Sequence, residues 1–404
     1  MSILADKTIL LGVTGSIAAY KAAALASKLT QAGAQVDVVL TPGAEKFVTP
    51  LTFQSVTGRR AYTEADLWGN EAHVLHVGLA RRADVFLIAP CTANTLAKLA
   101  HGVADTLLTV AALAAKCPLV IAPAMDAGMY AHPAVQENVR LLCERGVVLV
   151  GPAEGHLASG LHGLGRMSEP EEIIGHLRLV LGRHGPLARH KVVVTAGGTQ
   201  EPLDPVRYLT NRSSGKQGYA LAQAALDAGA QVTLVTAPTC LKPPVGARVV
   251  SVRTAQEMLD AVLEEASHAD ALLMAAAVAD FRPAQVPEEK ITKRDGIPSF
   301  TLEATADILR ALAERREAGA KQPHVVIGFA AESRDLLENA RNKLRAKRLD
   351  MIVANDISAP DAGFAVETNR VTLIYADGKQ EALPLMSKAE VAEAIVARLA
   401  KLLE

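Results

Sequence analysis

The most specific chemical signal in the chain is the run VTAGGTQEPLDPVRYLTNRSSGKQG at 194–218. Asn211, Arg212, Ser213, Ser214 and Gly215 precede a predicted helix there, so amides, hydroxyls and a guanidinium converge on an anion. A capping serine alone needs no such polar run, and Pro202 and Pro205 stiffen the approach. AAAVADF (275–281) ends another predicted strand with Asp280 at its carboxyl edge, and the polar run PEEKITKRDG (287–296), containing Lys290, follows as a flap. Charge runs are usually solvated faces. Lys343 and Lys347 stand four apart on a predicted helix and share one face, where their mutual repulsion costs a little stability.

The first half carries three weaker signals. TGSIAAYK (14–21) joins a strand directly to a helix, whose free amides and positive dipole end suit a phosphate. It is neither Gly-x-Gly-x-x-Gly nor a Walker loop, and a plain strand-to-helix turn explains it about as well. TPGAEKF (41–47) follows the next strand at the end where open α/β sheets bind ligands. The small side chains of APCTANTLAK (89–98) would let a flat ring lie against the backbone, with Thr92 and Asn94 offering hydrogen bonds to its edge.

Short Val/Ile/Leu runs alternating with amphipathic segments must position these groups. Strands are predicted at 8–13, 35–40, 84–89, 119–122 and 147–150, with helices at 17–31, 74–82, 93–101, 107–116 and 133–145. Continuous apolar strands separated by helices imply a parallel sheet covered on both faces. The rhythm restarts after GRHGPLARH (182–190), which places a domain boundary at 185/186. Strands at 191–195, 231–235, 271–275, 324–328 and 351–354 then alternate with helices at 216–227, 255–267, 307–317 and 336–345. A hairpin of 371–375 with 381–384 precedes a closing helix at 387–403. The expected fold class is α/β, two Rossmann-like doubly wound domains with mainly parallel sheets. AGAQVDVV (32–39) and AGAQVTLV (228–235) echo one another as one helix-to-strand turn solved twice.

At 404 residues and 50% apolar, the chain holds enough material for two or three cores, which excludes a disordered or fibrous protein. Lys plus Arg total 42 against 43 Asp plus Glu, so no general field favours nucleic acid or an anionic membrane. Small-molecule partners are expected. Cys91, Cys117, Cys143 and Cys240 form neither a zinc spacing nor a disulfide framework and read as cytosolic thiols. The N-terminus reads as a first strand rather than a signal peptide, and the longest apolar runs fall short of the roughly 20 residues a bilayer requires. A cytoplasmic protein is expected.

The three loops of the first half, together with PAMDAGMY (123–130), resemble the flavin-dependent cysteine decarboxylases. That resemblance implies FMN held by Gly15, Ser16, Ile17, Thr41, Phe47, Thr92 and Asn94, and a substrate contacted by Met125 and Asp126. The flavin oxidises a C-terminal cysteine thiol to a thioaldehyde, which eases loss of CO2. It also implies an essential histidine, His76, eight residues before Asp84 in HVLHVGLARRAD (73–84); His73 shares its helix face. A lone histidine is more often packed or solvated. Two positions depart from the common pattern: Asp126 replaces an Asn, and Ser159, in HLASGLHGLGRM (156–167), replaces the Cys that donates a proton. A carboxylate facing the substrate carboxylate would be repulsive, so Asp126 is expected to be protonated or turned to a cation. A thiol is a far better acid than a serine hydroxyl, so either Ser159 relays the proton or another donor, His156 or His162, replaces it.

The run 194–218 closely resembles phosphopantothenate–cysteine ligases, and the fused order is similar to the bacterial bifunctional coenzyme A biosynthesis family over nearly all of the chain. This implies Asn211 in an acyl-cytidylate site with Ser213 and Ser214 at the substrate, and Lys290 as the catalytic lysine. It implies a CTP pocket of Ala275, Ala276, Asp280, Lys290, Ala306, Asp307, Ile308, Leu309, Phe329, Lys343 and Lys347. The implied reactions are CTP- and Mg2+-dependent joining of cysteine to 4′-phosphopantothenate, then FMN-dependent decarboxylation to 4′-phosphopantetheine. The implied assembly is a homo-oligomer, with trimeric flavin domains and dimeric ligase domains in a dodecamer. The two departures motivate one alternative, an active ligase whose flavin domain binds without decarboxylating and serves regulation. Flavin prenyl transfer is disfavoured by the attached ligase.

Overall fold

The computed structural model describes residues 2–68, 75–292, 297–332, 335–356 and 367–404. His73, Val74, Ser333 and the end of the polar run at 293–296 lie outside the described residues. Two compact units divide the chain, Met1–Leu181 and Gly182–Glu404. The division falls at Gly182 because a Cβ there would lie 2.5 Å from the Asp227 carbonyl oxygen, and the Leu187 amide donates to the Ala228 carbonyl. The linker residues are thus packed onto the second unit.

In the first unit, β1 (Thr8–Val13), β2 (Gln35–Leu40), β3 (Ala61–Tyr62), β4 (Val85–Cys91), β5 (Leu119–Pro123) and β6 (Val148–Leu149) form one sheet. Its order is β3-β2-β1-β4-β5-β6, with every pair parallel. Alternate residues sort to opposite faces. Ile9, Leu11, Val38 and Leu87 meet α1 (Ala19–Gln31), α2 (Pro50–Thr57) and α8 (Pro170–Gly182) through Leu25, Phe53 and Ile173. Leu10, Phe86, Ile88 and Ile121 meet α3 (Leu75–Arg82), α4 (Ala93–His101), α5 (Leu107–Ala114) and α7 (Pro133–Glu144) through Leu79, Leu96, Leu108 and Leu142. The chain reverses its direction of sheet growth between β1 and β4, which opens a crevice at their carboxyl ends. The short α6 (Ala127–Ala131) and an antiparallel hairpin of β7 (Ala153–His156) and β8 (His162–Arg166) stand at that end.

In the second unit, the strands are β9 (Lys191–Ala196), β10 (Gln200–Pro202), β11 (Tyr208–Thr210), β12 (Gln231–Thr236), β13 (Arg248–Ser251), β14 (Ala271–Met274), β15 (Phe281–Pro283) and β16 (Leu302–Ala304). They continue as β17 (Val325–Glu332), β18 (Met351–Asp356), β19 (Thr368–Asn369), β20 (Val371–Tyr375), β21 (Gln380–Ala382) and β22 (Met386–Ser387). Eight of them form the main sheet, β13-β12-β9-β14-β17-β18-β20-β21. It is parallel through β18, and β20 and β21 close it antiparallel as the expected hairpin. On one face α10 (Ala255–Ala266), α11 (Ile308–Glu317) and α12 (Leu336–Ala346) bury Met258, Leu312 and Leu344 against Val193, Leu272 and Ile352. The helices α9 (Lys216–Asp227) and α13 (Lys388–Leu403) pack together outside that cluster.

The expected fold class is therefore the observed one. The first helix begins at Ala19 rather than Ile17, because residues 16–18 form a turn in which Ser16 Oγ accepts from the Ala18 amide. Asp307 and Ser387 stand just outside their helices as caps, accepting from the Arg310 and Glu390 amides.

Candidate functional site

Each unit carries a large cavity at the carboxyl edge of its own sheet. In the first unit it measures about 960 Å³ and is bounded by the loops after β1, β2, β4 and β5 and by the β7–β8 hairpin. Thr14 ties two of these loops together: its buried hydroxyl donates to the Pro90 carbonyl at 2.7 Å and accepts from the Thr92 amide at 3.1 Å. Gly15 and Gly43 meet backbone on backbone, since a Cβ on Gly15 would lie 2.9 Å from the Gly43 carbonyl carbon. The phosphate-type turn before α1 and the loop after β2 therefore make one continuous wall. Thr92 caps α4 by accepting from the Thr95 amide.

Of the sequence-predicted flavin set, Gly15, Ser16, Ile17, Thr41, Thr92 and Asn94 line this cavity, as do Met125, Asp126 and Ser159. Phe47 and His76 do not. Phe47 is half-exposed on the surface, and His76 is partly covered on α3 with a buried Nδ1 that has no protein partner.

The hydrogen bonds of the Asp126 carboxyl come from neutral donors rather than from a cation. Its carboxylate accepts from the Ser159 hydroxyl at 2.6 Å and, as the cap of α6, from the Gly128 amide at 2.9 Å. The Ser159 hydroxyl, then the Gly128 amide, hold this carboxyl below its ordinary range. The two departures from the decarboxylase pattern are thus bonded to one another.

Two lining residues that fall inside the quoted motifs, Lys21 in TGSIAAYK and Arg166 in HLASGLHGLGRM, were assigned no role from the sequence. Lys21 is a buried cation on α1 that donates to the Met167 carbonyl at 3.1 Å and to Glu169 at 2.9 Å, fixing the end of the hairpin. Arg166 also pairs with Glu169, at 2.6 Å.

In the second unit the cavity measures about 620 Å³. Asn211, Ser213, Ser214, Ala275, Ala276, Asp280, Ala306, Asp307, Ile308, Leu309, Phe329, Lys343 and Lys347 all line it. Side-chain hydroxyls hold its backbone in place. Thr195 Oγ1 accepts from the Ala276 amide at 3.0 Å, Thr199 Oγ1 accepts from the Ala279 amide at 2.9 Å, and Thr305 Oγ1 donates to the Ala279 carbonyl at 2.6 Å. Asn211 Nδ2 donates to the Val278 carbonyl at 2.9 Å, joining the Asn-Arg-Ser-Ser-Gly run to the loop after β14.

Lys343 Nζ donates to the Phe329 carbonyl at 2.9 Å, and Lys347 pairs with Asp307. Burial pushes the Asp307 carboxyl up, but Lys347, the Arg310 amide and Lys343 together outweigh it and hold it low. Lys388, buried at the start of α13, also lines the cavity; burial and then the nearby Lys216 lower its pKa, against Glu367.

Lys290 is not brought to this cavity. It is exposed, and its neighbour Ile291 is tethered through the backbone amide to Asp204 at 3.4 Å. Among the described residues no group of three or more His, Cys, Asp or Glu side chains is arranged to hold a metal ion. Nor is any described helix long and apolar enough to cross a membrane.

Residues 3–181 match the Flavoprotein family, and residues 187–403 match the DNA/pantothenate metabolism flavoprotein C-terminal domain. The chain is 45% identical over 402 residues to the Coenzyme A biosynthesis bifunctional protein CoaBC of Bacillus subtilis (strain 168), covering 99% of this chain and 98% of that one. It is 44% identical over 402 residues to the protein of the same name from Mycobacterium bovis, covering 96% and 95%. A crystal structure of the C-terminal domain of such a protein is 41% identical and covers 54% of this chain and 98% of its own, with a TM-score of 0.46. With both halves matched and full-length relatives at this identity, the chain belongs to the family of bifunctional coenzyme A biosynthesis proteins.

Proposed function

We propose that the chain joins cysteine to 4′-phosphopantothenate with CTP and decarboxylates the product, 4′-phosphopantothenoylcysteine, to 4′-phosphopantetheine with FMN. The observation that carries this is the pairing of two cavities, each at the carboxyl edge of its own sheet and each lined by most of the residues the corresponding motif names, with Phe47, His76 and Lys290 the exceptions. The bare backbone where Gly15 meets Gly43, the amides opening α1, and the Thr92 and Asn94 side chains suit a flavin phosphate and ring. The flavin supplies reversible hydride transfer when bound. The hairpin walls the cavity with Ser159 and Arg166, while Asp126 and Ser159 orient each other.

In the ligase cavity, Lys343 and Lys347 receive the triphosphate, and Asn211 with Ser213 and Ser214 receives the acyl-cytidylate. Asp280 and Asp307 are carboxylates suited to an Mg2+ ion that takes its remaining oxygens from phosphate and water. Lys290, on the exposed segment whose Ile291 amide is tethered to Asp204, is assigned the role of the catalytic lysine. A homo-oligomer, trimeric through flavin domains and dimeric through ligase domains, accounts for His76 and Phe47 lying outside the cavity of one chain. The exposed apolar side chains Trp68, Leu51 and Tyr20 support such contacts. The setting is the cytoplasm.

The test is purified protein with phosphopantothenate, cysteine, CTP and Mg2+, followed by mass. Accumulation of 4′-phosphopantetheine is expected. No cysteine adduct would refute the ligase reading. An adduct that never loses CO2 would refute the decarboxylase reading.

A further inference from the structure

We infer that His156 gives the proton to carbon when the decarboxylated product is re-reduced, and that Ser159 is a positioning residue held by Asp126. The inference rests on reading the first cavity as the decarboxylase site. Ser159 has a single hydroxyl proton, and it is directed at Asp126 Oδ2, 2.6 Å away. Its loss would place an alkoxide against a carboxylate, so the bond makes Ser159 a weaker acid than a free serine. Asp126 itself is kept ionised by that hydroxyl and the Gly128 amide and holds no proton to give.

Three residues before Ser159, His156 ends β7 and lines the same cavity. His162 lies across the hairpin in register with it, ring centroids 5.3 Å apart and edge-on at 88°. His162 is outside the cavity wall, and its Nδ1 faces Glu154 at 3.7 Å. The two imidazoles share one exposed face of the hairpin, and His156 is the one of the pair that lines the cavity. The charged groups of the cavity wall are Lys21, Lys98, Asp126 and Arg166, and Glu154 faces His162.

The step balances as follows. After oxidation and loss of CO2 the substrate is an enethiolate. Its carbon–carbon π pair takes the imidazolium proton at the carbon that lost CO2, which leaves a carbon–sulfur double bond. Reduction of that bond to the thiolate would take a hydride, the chemistry that a reduced flavin held by the loops of Gly15, Gly43, Thr92 and Asn94 would supply. The neutral imidazole recovers a proton from solvent.

The experiment is a single turnover of supplied 4′-phosphopantothenoylcysteine by FMN-loaded full-length protein, with products weighed. Unaltered protein, Ser159→Ala and His162→Gln should each give the saturated thiol, Ser159→Ala more slowly. His156→Gln should stop at the enethiol, two hydrogens lighter, with its flavin left reduced. Adding Ser159→Cys to His156→Gln should restore the saturated product, because a thiol with a pKa of about 8.5 can replace the lost acid. A second readout needs no flavin: amide exchange of residues 157–161 should rise about fivefold in Ser159→Ala and in Asp126→Ala, and no further in the double variant. Saturated product from His156→Gln, or enethiol from Ser159→Ala alone, overturns the assignment. Unchanged exchange in both single variants overturns the positioning role. Failure of the unaltered protein to release CO2 overturns the reading of the site itself, and this inference with it.

Discussion

Gly165 stands so close to Met125 that a Cβ added to it would lie 2.3 Å from the Met125 carbonyl oxygen. The Met125 amide in turn donates to the Gly165 carbonyl at 3.0 Å. The hairpin and the turn after β5 therefore meet backbone to backbone, with no side chain that could yield. Gly165→Ala should lower decarboxylation of supplied substrate about tenfold to a hundredfold, as 1–3 kcal/mol of overpacking in the closed hairpin implies. Ligation should be untouched. Normal decarboxylation in this variant would show that the closed hairpin is not the working state.

The Asp126–Ser159 bond fixes a pH dependence. The folded carboxyl lies below its ordinary value, so the stability of the bond is complete above about pH 3.9 and is lost as pH falls through the lower folded value. Carbon-13 NMR of the Asp126 carboxyl should show titration below the usual range, moving upward in Ser159→Ala. A titration that ignores the substitution would mean the bond is not made in solution.

Lys290→Gln should abolish ligation while decarboxylation of supplied phosphopantothenoylcysteine continues, because Lys290 and the flavin-type cavity belong to different units. Loss of both activities in a folded variant would refute that separation.

Lys343 and Lys347 line the ligase cavity beside Phe329 and Asp307. Each Lys→Ala change should raise KM for CTP about tenfold or more, the size of a lost charge-assisted bond. KM for cysteine should move little. An effect confined to kcat would place the triphosphate elsewhere.

The thiols should separate by burial. Cys91 is fully buried, which pushes its pKa far up, whereas Cys143 and Cys240 are exposed. Alkylation of native protein followed by peptide mapping should label Cys143 and Cys240 first and Cys91 only on unfolding. Early labelling of Cys91 would contradict the packing of β4.

The main sheets were legible because their central strands are continuous apolar runs with no competing pattern. TILLGV and QVDVVL could form little else between helices. The β7–β8 hairpin was not legible as strands. Gly155, Gly163 and Gly165 dilute its β signal, and at Gly165 the glycine answers to a neighbour 40 residues away in sequence, Met125. Helix α8 carries a start signal, Pro170 followed by Glu171 and Glu172, but it runs straight into the expected linker, which hides its extent. Asp126 and Ser159 were each visible as departures from a pattern. That they touch is a fact of the fold, across 33 residues of sequence. His76 and Lys290 illustrate the opposite limit: the family resemblance names them, while the geometry of one chain leaves both outside their cavities.

The contact between Asp126 and Ser159 also bears on descent. Starting from the Asn and Cys of the resembled pattern, two routes lead to the observed pair. If the acid arrives first, its carboxylate faces a thiol whose ionised form it repels, and an anionic substrate with no hydroxyl to shield it. If the serine arrives first, the pair stays neutral and the later acid finds its donor already in place. The second route avoids a handicapped ancestor. Genomes should accordingly hold Asn–Ser intermediates more often than Asp–Cys ones, so that a single hydrogen bond leaves its mark on the order in which two codons changed.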